Sequence, residues 1–302
     1  MSDITASTRA FVDRDGVEIT YRRWLPDGEP KAVVQIAHGA SEHSARYARF
    51  ARNLVSRGYA VYADDHRGHG LTAAATGVGI AGPRGWAGMV DDLLELGDIA
   101  RGDVGDGAVV LFGHSMGSFL AQRFIQLYGD TLAGVVLSGS TGSFGDLGDA
   151  LSLLGDLPPD EPAAIFGPLN APFEPARTPF DWLSRDPDEV DQYVADVMCG
   201  DDAPLTNGFV ADMLRSTAAA WEPENERRIP KDLPVLFITG EADSVSQGGV
   251  TVRELEARYT ANGMSDVTGL YYPDARHELL NETNRDDVER DVIDWLDRVL
   301  AR

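Results

Sequence analysis

The 302-residue sequence predicts an α/β protein, a mostly parallel sheet covered by helices on both faces and interrupted by one inserted segment. Three observations predict it. Short apolar runs alternate with stretches of helical period, the pattern of strand–helix–strand units. This alternation stops near residue 141 and resumes near 229. Between these signals, an apolar run at 108–112 passes directly into a glycine-flanked serine turn and then into a helix.

The elements follow in order. Runs at 9–14 and 17–24, hinged at Asp15 and Gly16, read as an N-terminal β-hairpin. Strand 32–37 precedes helix 46–57, strand 60–64 precedes helix 88–101, and strand 108–112 precedes helix 117–128. In the last of these helices Leu120, Ala121, Phe124, Ile125, Leu127 and Tyr128 recur at helical spacing. Strand 133–138 closes the first half. Strand 234–239, helix 249–261, strand 267–272 and helix 285–300 form the second. The core is therefore expected to comprise residues 1–140 and 229–302, with 141–228 inserted. The insertion holds ten of the sixteen prolines, and Phe166, Phe180, Trp182, Tyr193 and Trp221 among its large apolar side chains. That is too much apolar surface for a solvated tether, so the segment is read as a cap. Leu71–Gly82, rich in Ala and Gly, reads as a mobile loop.

Composition narrows the function. A net charge of −23, from 26 basic and 49 acidic residues, opposes binding to nucleic acid or to an anionic membrane. One cysteine, Cys199, excludes an intrachain disulfide and a cysteine-rich metal site and fits a reducing compartment. The first residues lack a basic segment followed by an apolar core, and no run of about 18 apolar residues occurs. The expectation is a soluble, cytoplasmic protein without a transmembrane segment, with at most peripheral membrane contact through the cap. The sequence carries no signature of oligomeric state.

The serine turn carries the chemistry. Gly113-His114-Ser115-Met116-Gly117 is a G-x-S-x-G elbow, in which a strand reverses into a helix and leaves no room for side chains beside the serine. A serine hydroxyl is a weak nucleophile and needs a base, which in turn needs an orienting carboxylate. In this setting the chain order is Ser, acid, His. Of the six histidines only His277 follows Ser115, which nominates it as the base. The run 234–239 ends in Gly240-Glu241-Ala242-Asp243, so Glu241 and Asp243 compete for the acid at the carboxyl end of a strand. An oxyanion needs preorganised N–H donors. Met116 supplies one as the residue after the nucleophile, and Ala40 in the turn after strand 32–37 is the candidate for the other. His38, His43, His66 and His69 lie near Asp64 and Asp65, but in glycine-rich loops and not on one helix face. Neither a metal nor a cofactor is expected.

Taken together, His38-Gly39-Ala40-Ser41-Glu42-His43-Ser44-Ala45-Arg46-Tyr47, Asp65-His66-Arg67-Gly68-His69-Gly70, Gly113–Gly117 and Gly240–Asp243 resemble the monoacylglycerol lipase and lysophospholipase branch of the α/β-hydrolases, the serine aminopeptidase S33 type, over nearly the whole chain. The resemblance implies an α/β-hydrolase fold, with about eight mostly parallel strands flanked by helices and an inserted cap. It implies a triad of Ser115, Asp243 and His277, the family's acid ending a Gly-x-x-Asp segment, with oxyanion donors at Ala40 and Met116. It also maps contacts to the polar half of a substrate onto Glu42, Arg46 and His114. The chain departs from the mammalian glyceride enzymes at Leu280, where those carry a second histidine that helps to bind glycerol. The expected activity is hydrolysis of a small-molecule monoester through an acyl-enzyme, the ester being a monoacylglycerol, a lysophospholipid or an aryl or alkyl monoester such as a monoalkyl phthalate. The alternatives are a peptidase or amidase of the same fold and a non-catalytic binding module.

Overall fold

The computed structural model describes residues 5–105, 107–143, 145 and 147–301. The strands are β1 (Ser7–Val12), β2 (Glu18–Trp24), β3 (Val33–Ala37), β4 (Ala60–Asp64), β5 (Val109–His114), β6 (Gly134–Ser138), β7 (Val235–Gly240) and β8 (Val267–Tyr272). They form one sheet in the order β1-β2-β4-β3-β5-β6-β7-β8. The pairs β1–β2 and β2–β4 are antiparallel and the remaining pairs parallel. The expected hairpin, parallel core and eight strands are therefore present.

The helices are α1 (Ala48–Ser56), α2 (Ala73–Thr76), α3 (Gly85–Val104), α4 (Met116–Tyr128), α5 (Gly148–Gly155), α6 (Gly167–Asn170), α7 (Pro187–Ala195), α8 (Asn207–Ala220), α9 (Pro223–Glu226), α10 (Val250–Ala261) and α11 (Arg285–Leu300). Strand periodicity divides the core between two faces. Along β5, Val110 and Phe112 pack with Phe50 and Leu54 of α1 and with Val292 and Leu296 of α11. Leu111 points the other way, into a cluster with Met89 and Leu93 of α3, Leu120 and Phe124 of α4, and Leu255 of α10. Strands buried on both faces read as continuous apolar runs, which is why Val109–Phe112 shows no alternation of polar and apolar residues.

Segment α5–α9 lies in the connection from β6 to β7. Of the expected cap range 141–228, Phe144 and Asp146 lie outside the described residues. Its aromatic residues Phe180, Trp182, Tyr193 and Phe209 belong to the same buried cluster as α3 and α4. Trp221 Nε1 donates to Gln122 of α4 at 2.9 Å, and Gln126 Nε2 donates to the Ala220 carbonyl at 2.7 Å.

Two boundaries and one loop differ from the sequence reading, each for a tertiary reason. Helix 46–57 opens as a tighter turn at Ser44–Tyr47, where Asp65 accepts both the Ser44 amide at 2.9 Å and its hydroxyl at 2.5 Å. Helix 88–101 begins at Gly85 because Asp212, from α8, accepts the Trp86 amide at 2.7 Å and caps the helix from outside its own sequence. The 71–82 segment is not the free loop its composition suggested. It contains α2, the Thr72 hydroxyl accepts the Thr20 amide at 2.9 Å, and the Gly79 carbonyl accepts the Thr206 hydroxyl at 2.8 Å.

Arg67 ties the front of the sheet together. It is fully buried and its guanidinium donates to Asp92 of α3 at 2.7 and 3.0 Å, to Asp13 and Asp15 in the β1–β2 turn at 2.6 and 2.9 Å, and to the Pro83 carbonyl at 2.5 Å. Removing the cation strands buried carboxylates, at a cost of about 3–5 kcal/mol. Arg67→Met is expected to lower the melting temperature by roughly 5–15 °C, measured by far-ultraviolet circular dichroism on heating.

Candidate active site

Strand β5 ends at His114 and α4 begins at Met116, so the whole reversal falls on Ser115. Its φ is 51° and ψ −121°, a conformation that non-glycine residues rarely hold. Hydrogen bonding from the Ser115 amide to the Ser138 carbonyl at 2.9 Å fixes it to β6. The flanking glycines are spatial requirements. A Cβ on Gly117 would lie 2.1 Å from the Ala37 carbonyl oxygen, and one on Gly113 would lie 2.5 Å from the Gly117 carbonyl oxygen.

His277 follows β8 and is buried. Its Nδ1 lies 3.0 Å from Asp243 Oδ1, and Asp243, wholly buried just past β7, also accepts the Val245 amide at 2.9 Å. The His277 Nε2 has no hydrogen-bond partner among the described residues, and His277 and Ser115 line one pocket. Burial alone would depress His277, but the Asp243 carboxylate, helped by Glu278 and Glu42, holds it above its ordinary value. Glu241, the competing acid, lies at the surface and pairs with Arg253 at 2.7 Å. The three groups can act as nucleophile, base and orienting acid, with the Ser115–His277 hydrogen bond left to form when substrate arrives.

Met116 is the first residue of α4, and the leading N–H groups of a helix have no carbonyl partner within it. The Ala40 amide enters no backbone hydrogen bond among the described residues outside helices and strands. Both residues line the same cavity as Ser115.

Two spaces meet at Ser115. One is a cavity of about 460 Å³ lined by core residues including Phe119 and by Ile165, Phe166, Leu169, Val210 and Met213 of the insertion. The other is a narrow pocket of about 20 Å³ whose walls include Glu42, His114, Tyr193, His277 and Glu278. Of the residues mapped onto the polar half of a substrate, Glu42 and His114 thus lie on the pocket wall. Arg46 does not. It sits behind that wall, donating to Glu42 at 2.6 Å and to both oxygens of Glu278 at 2.6 and 2.8 Å, with its guanidinium 4.8 Å from the Tyr193 ring centroid. Burial and the neighbouring His277 push His114 down to about 4.

Sequence reasoning missed Glu278, Tyr193 and the place of Trp182. The Trp182 ring lies against His277, tilted by 39° with ring centroids 4.8 Å apart, and the Trp182 carbonyl accepts the His277 amide at 3.4 Å. The Leu183 carbonyl accepts the Glu278 amide at 2.8 Å. Adjacency of Glu278 to the only candidate base was the one available signal.

Three of the four clustered histidines are bonded to neighbouring groups of the core. His38 Nε2 accepts the His66 amide at 2.9 Å, His66 Nδ1 meets Asp64 at 2.7 Å, and His69 Nδ1 meets the Arg67 carbonyl at 3.1 Å. Three groups able to share a metal ion occur among the described residues at His43, Asp196 and Cys199, within 4.8 Å of one another. There the His43 Nε2 already pairs with Asp196 at 2.9 Å, joining core to insertion.

Comparison with known proteins gives a consistent picture. The family profile described as serine aminopeptidase, S33 (Hydrolase_4) matches residues 28–284. The chain is 30% identical to a monoacylglycerol lipase of Mycolicibacterium smegmatis, over 98% of this chain and 99% of that protein. It is 30% identical to the monoglyceride lipase of Homo sapiens, over 91% and 88% respectively. A thermostable carboxyl esterase from Bacillus coagulans, solved in complex with glycerol, aligns with a TM-score of 0.90 at 28% identity, covering 99% of this chain and 100% of that one.

The geometry sets two expectations. Activity should fall as pH drops through one ionisation lying above the ordinary histidine value of about 6.5, since only neutral His277 can accept a proton. His114 titrates too low to add a second step at that limb. In a kcat/KM profile against pH, Asp243→Asn should move the limb to lower pH and reduce turnover by about a hundredfold or more, whereas Glu241→Gln should leave both nearly unchanged.

Proposed function

Since the chain belongs to the serine aminopeptidase S33 family of hydrolases, we propose that it cleaves carboxylic monoesters through an acyl-enzyme on Ser115, with the acyl chain in the apolar cavity and the alcohol in the narrow polar pocket. It is a carboxylic ester hydrolase of the monoacylglycerol lipase kind. The observation that carries the finer reading is the position of Ser115 where two spaces of opposite character meet.

In this mechanism the Ser115 oxygen attacks the ester carbonyl carbon while His277 Nε2 takes the hydroxyl proton. Asp243 keeps the imidazole in the tautomer that leaves Nε2 free and stabilises the imidazolium that forms. The carbonyl oxygen, now anionic, receives the Ala40 and Met116 amides, whose dipoles are already oriented before reaction. As the tetrahedral intermediate collapses, His277 returns the proton to the alcohol oxygen and the alcohol leaves into the polar pocket. Water, deprotonated by His277, then attacks the acyl carbon, and His277 returns that proton to the Ser115 oxygen as the acid is released.

We assign the segment 141–228 the role of a cap, because its Ile165, Phe166, Leu169, Val210 and Met213 complete the acyl cavity. A single apolar cavity suits one chain, so monoesters are the expected class. The apolar cavity has no carboxylate among its described lining residues, so an aminoacyl group placed there would find no partner for its amine. With the acyl group assigned to that cavity, esters are favoured over aminoacyl amides. No helix among the described residues is long and apolar enough to cross a membrane. The exposed Leu153 of α5 and Leu157 beyond it offer apolar side chains for peripheral contact with a lipid surface.

Turnover of monoacylglycerols, lysophospholipids, aryl monoesters, triacylglycerol emulsions and aminoacyl anilides, compared side by side, tests this reading. Monoacylglycerols and aryl monoesters should be hydrolysed fastest, lysophospholipids and triesters slowly and anilides least. Ser115→Ala should lose both turnover and fluorophosphonate labelling while keeping its melting transition. Turnover by that variant would remove Ser115 from the mechanism.

A further inference from the structure

The wall of the narrow pocket carries a charge that the bond-breaking steps do not use. Glu42 and Glu278 both line it and are 3% and 6% exposed. Glu42 is surrounded by donors, accepting the Gly39 amide at 2.5 Å, the Tyr47 hydroxyl at 2.8 Å and Arg46 at 2.6 Å, an arrangement suited to an acceptor-only carboxylate. Glu278 accepts both Arg46 nitrogens and the Asn281 side-chain amide at 2.8 Å. Burial works against its charge, yet Arg46 holds it down at about 2.

One guanidinium therefore serves two carboxylates, and it does so from behind the wall. The remaining titratable wall groups bring no compensating cation. His114 is held at about 4 by burial and the neighbouring His277, and burial pushes the Tyr193 hydroxyl upward. His277 itself must be neutral to act as base. The pocket thus carries one net negative charge in a protein whose overall charge, −23, has the same sign. A low-dielectric wall strengthens such a field. Size acts in the same direction. The pocket measures about 20 Å³, room for about one water-sized group, which fits a primary ammonium or a hydroxyl and not a phosphate.

We propose that Glu278, together with Glu42, selects the leaving alcohol by charge, so that the preferred substrates are esters of small amino alcohols, with neutral diols second and anionic alcohols rejected. The proposal rests on the assignment of the narrow pocket to the alcohol. It adds a specificity determinant, Glu278, acting on the part of the ester that departs.

The test uses octanoate esters of three alcohols of matched length, namely propanolamine, propanediol and hydroxypropionate, with p-nitrophenyl octanoate as reference, at a pH where the amine is protonated. The wild-type kcat/KM should rank amine above diol above acid, with amine and acid separated by at least about tenfold. Glu278→Gln should compress that separation at least about threefold, through KM more than kcat, relative to the reference ester. If all four esters are hydrolysed but the three alcohols rank equally or in reverse, the charge proposal is overturned while ester hydrolysis stands. If the ranking holds but Glu278→Gln leaves it unchanged, Glu278 is not the determinant. If none of the four esters turns over, the functional reading itself fails. The wild-type ranking decides the charge question even if the variant does not fold.

Discussion

The strained backbone at Ser115 is the constraint on which the rest of the site depends. A residue with a side chain at φ 51° and ψ −121° costs about 1–3 kcal/mol relative to a relaxed conformation, so it persists only where its surroundings over-determine it. Here they do. Strand β5 is held between β3 and β6 at the middle of the sheet, α4 starts at the next residue, and Gly113 and Gly117 let the backbone approach to distances that no Cβ allows. The sheet supplies rigidity, and the turn converts it into a hydroxyl at a defined place. His277 and Asp243 reach the same place from the ends of β8 and β7, because carboxyl ends of parallel strands converge on one edge.

Much of this was legible in the chain. Continuous apolar runs located the core strands, which are buried on both faces, and helical periodicity located the long helices, each of which buries one face against the sheet. The elbow was visible because its glycines answer a local steric demand, and chain order left His277 as the only base. Choosing Asp243 over Glu241 needed a family pattern. In space the difference is plain, since Glu241 meets Arg253 at the surface while Asp243 is buried against His277. Glu278 was not legible. Its role depends on pairing with Arg46, 232 positions away, and adjacency to His277 alone does not distinguish it from a solvated acid. The same cause hid the start of α3, whose cap is Asp212, and the anchoring of 71–82, which composition alone renders as loose.

Arg46 and Arg67 apply one device to different ends. Each is a guanidinium shared among carboxylates, at least one of them from a distant segment, and each derives its orientation from the planar fork of donors that lysine lacks. Around Arg67 the partners come from the first hairpin turn and α3, so the interaction joins the antiparallel margin of the sheet to a core helix. Around Arg46 the partners come from the loop after β3 and the residue next to the base. The first pairing is architecture alone. The second holds two carboxylates in the wall of a pocket that Ser115 and His277 also line.

The hydrogen bonds from the His277 and Glu278 amides to the Trp182 and Leu183 carbonyls bear on how enzymes of this shape diversify. A covering segment joined to its core only at two ends could be exchanged between relatives as a cassette, carrying chain-length preference with it. In this protein the insertion is also bonded to the loop that carries His277. Grafting a foreign one would have to reproduce the short stretch around Trp182, or the transplant would retune the catalyst along with the pocket. Modularity here therefore ends inside the insertion and not at its borders, because the stretch from Phe180 to Arg185 is bonded to the very loop that carries His277.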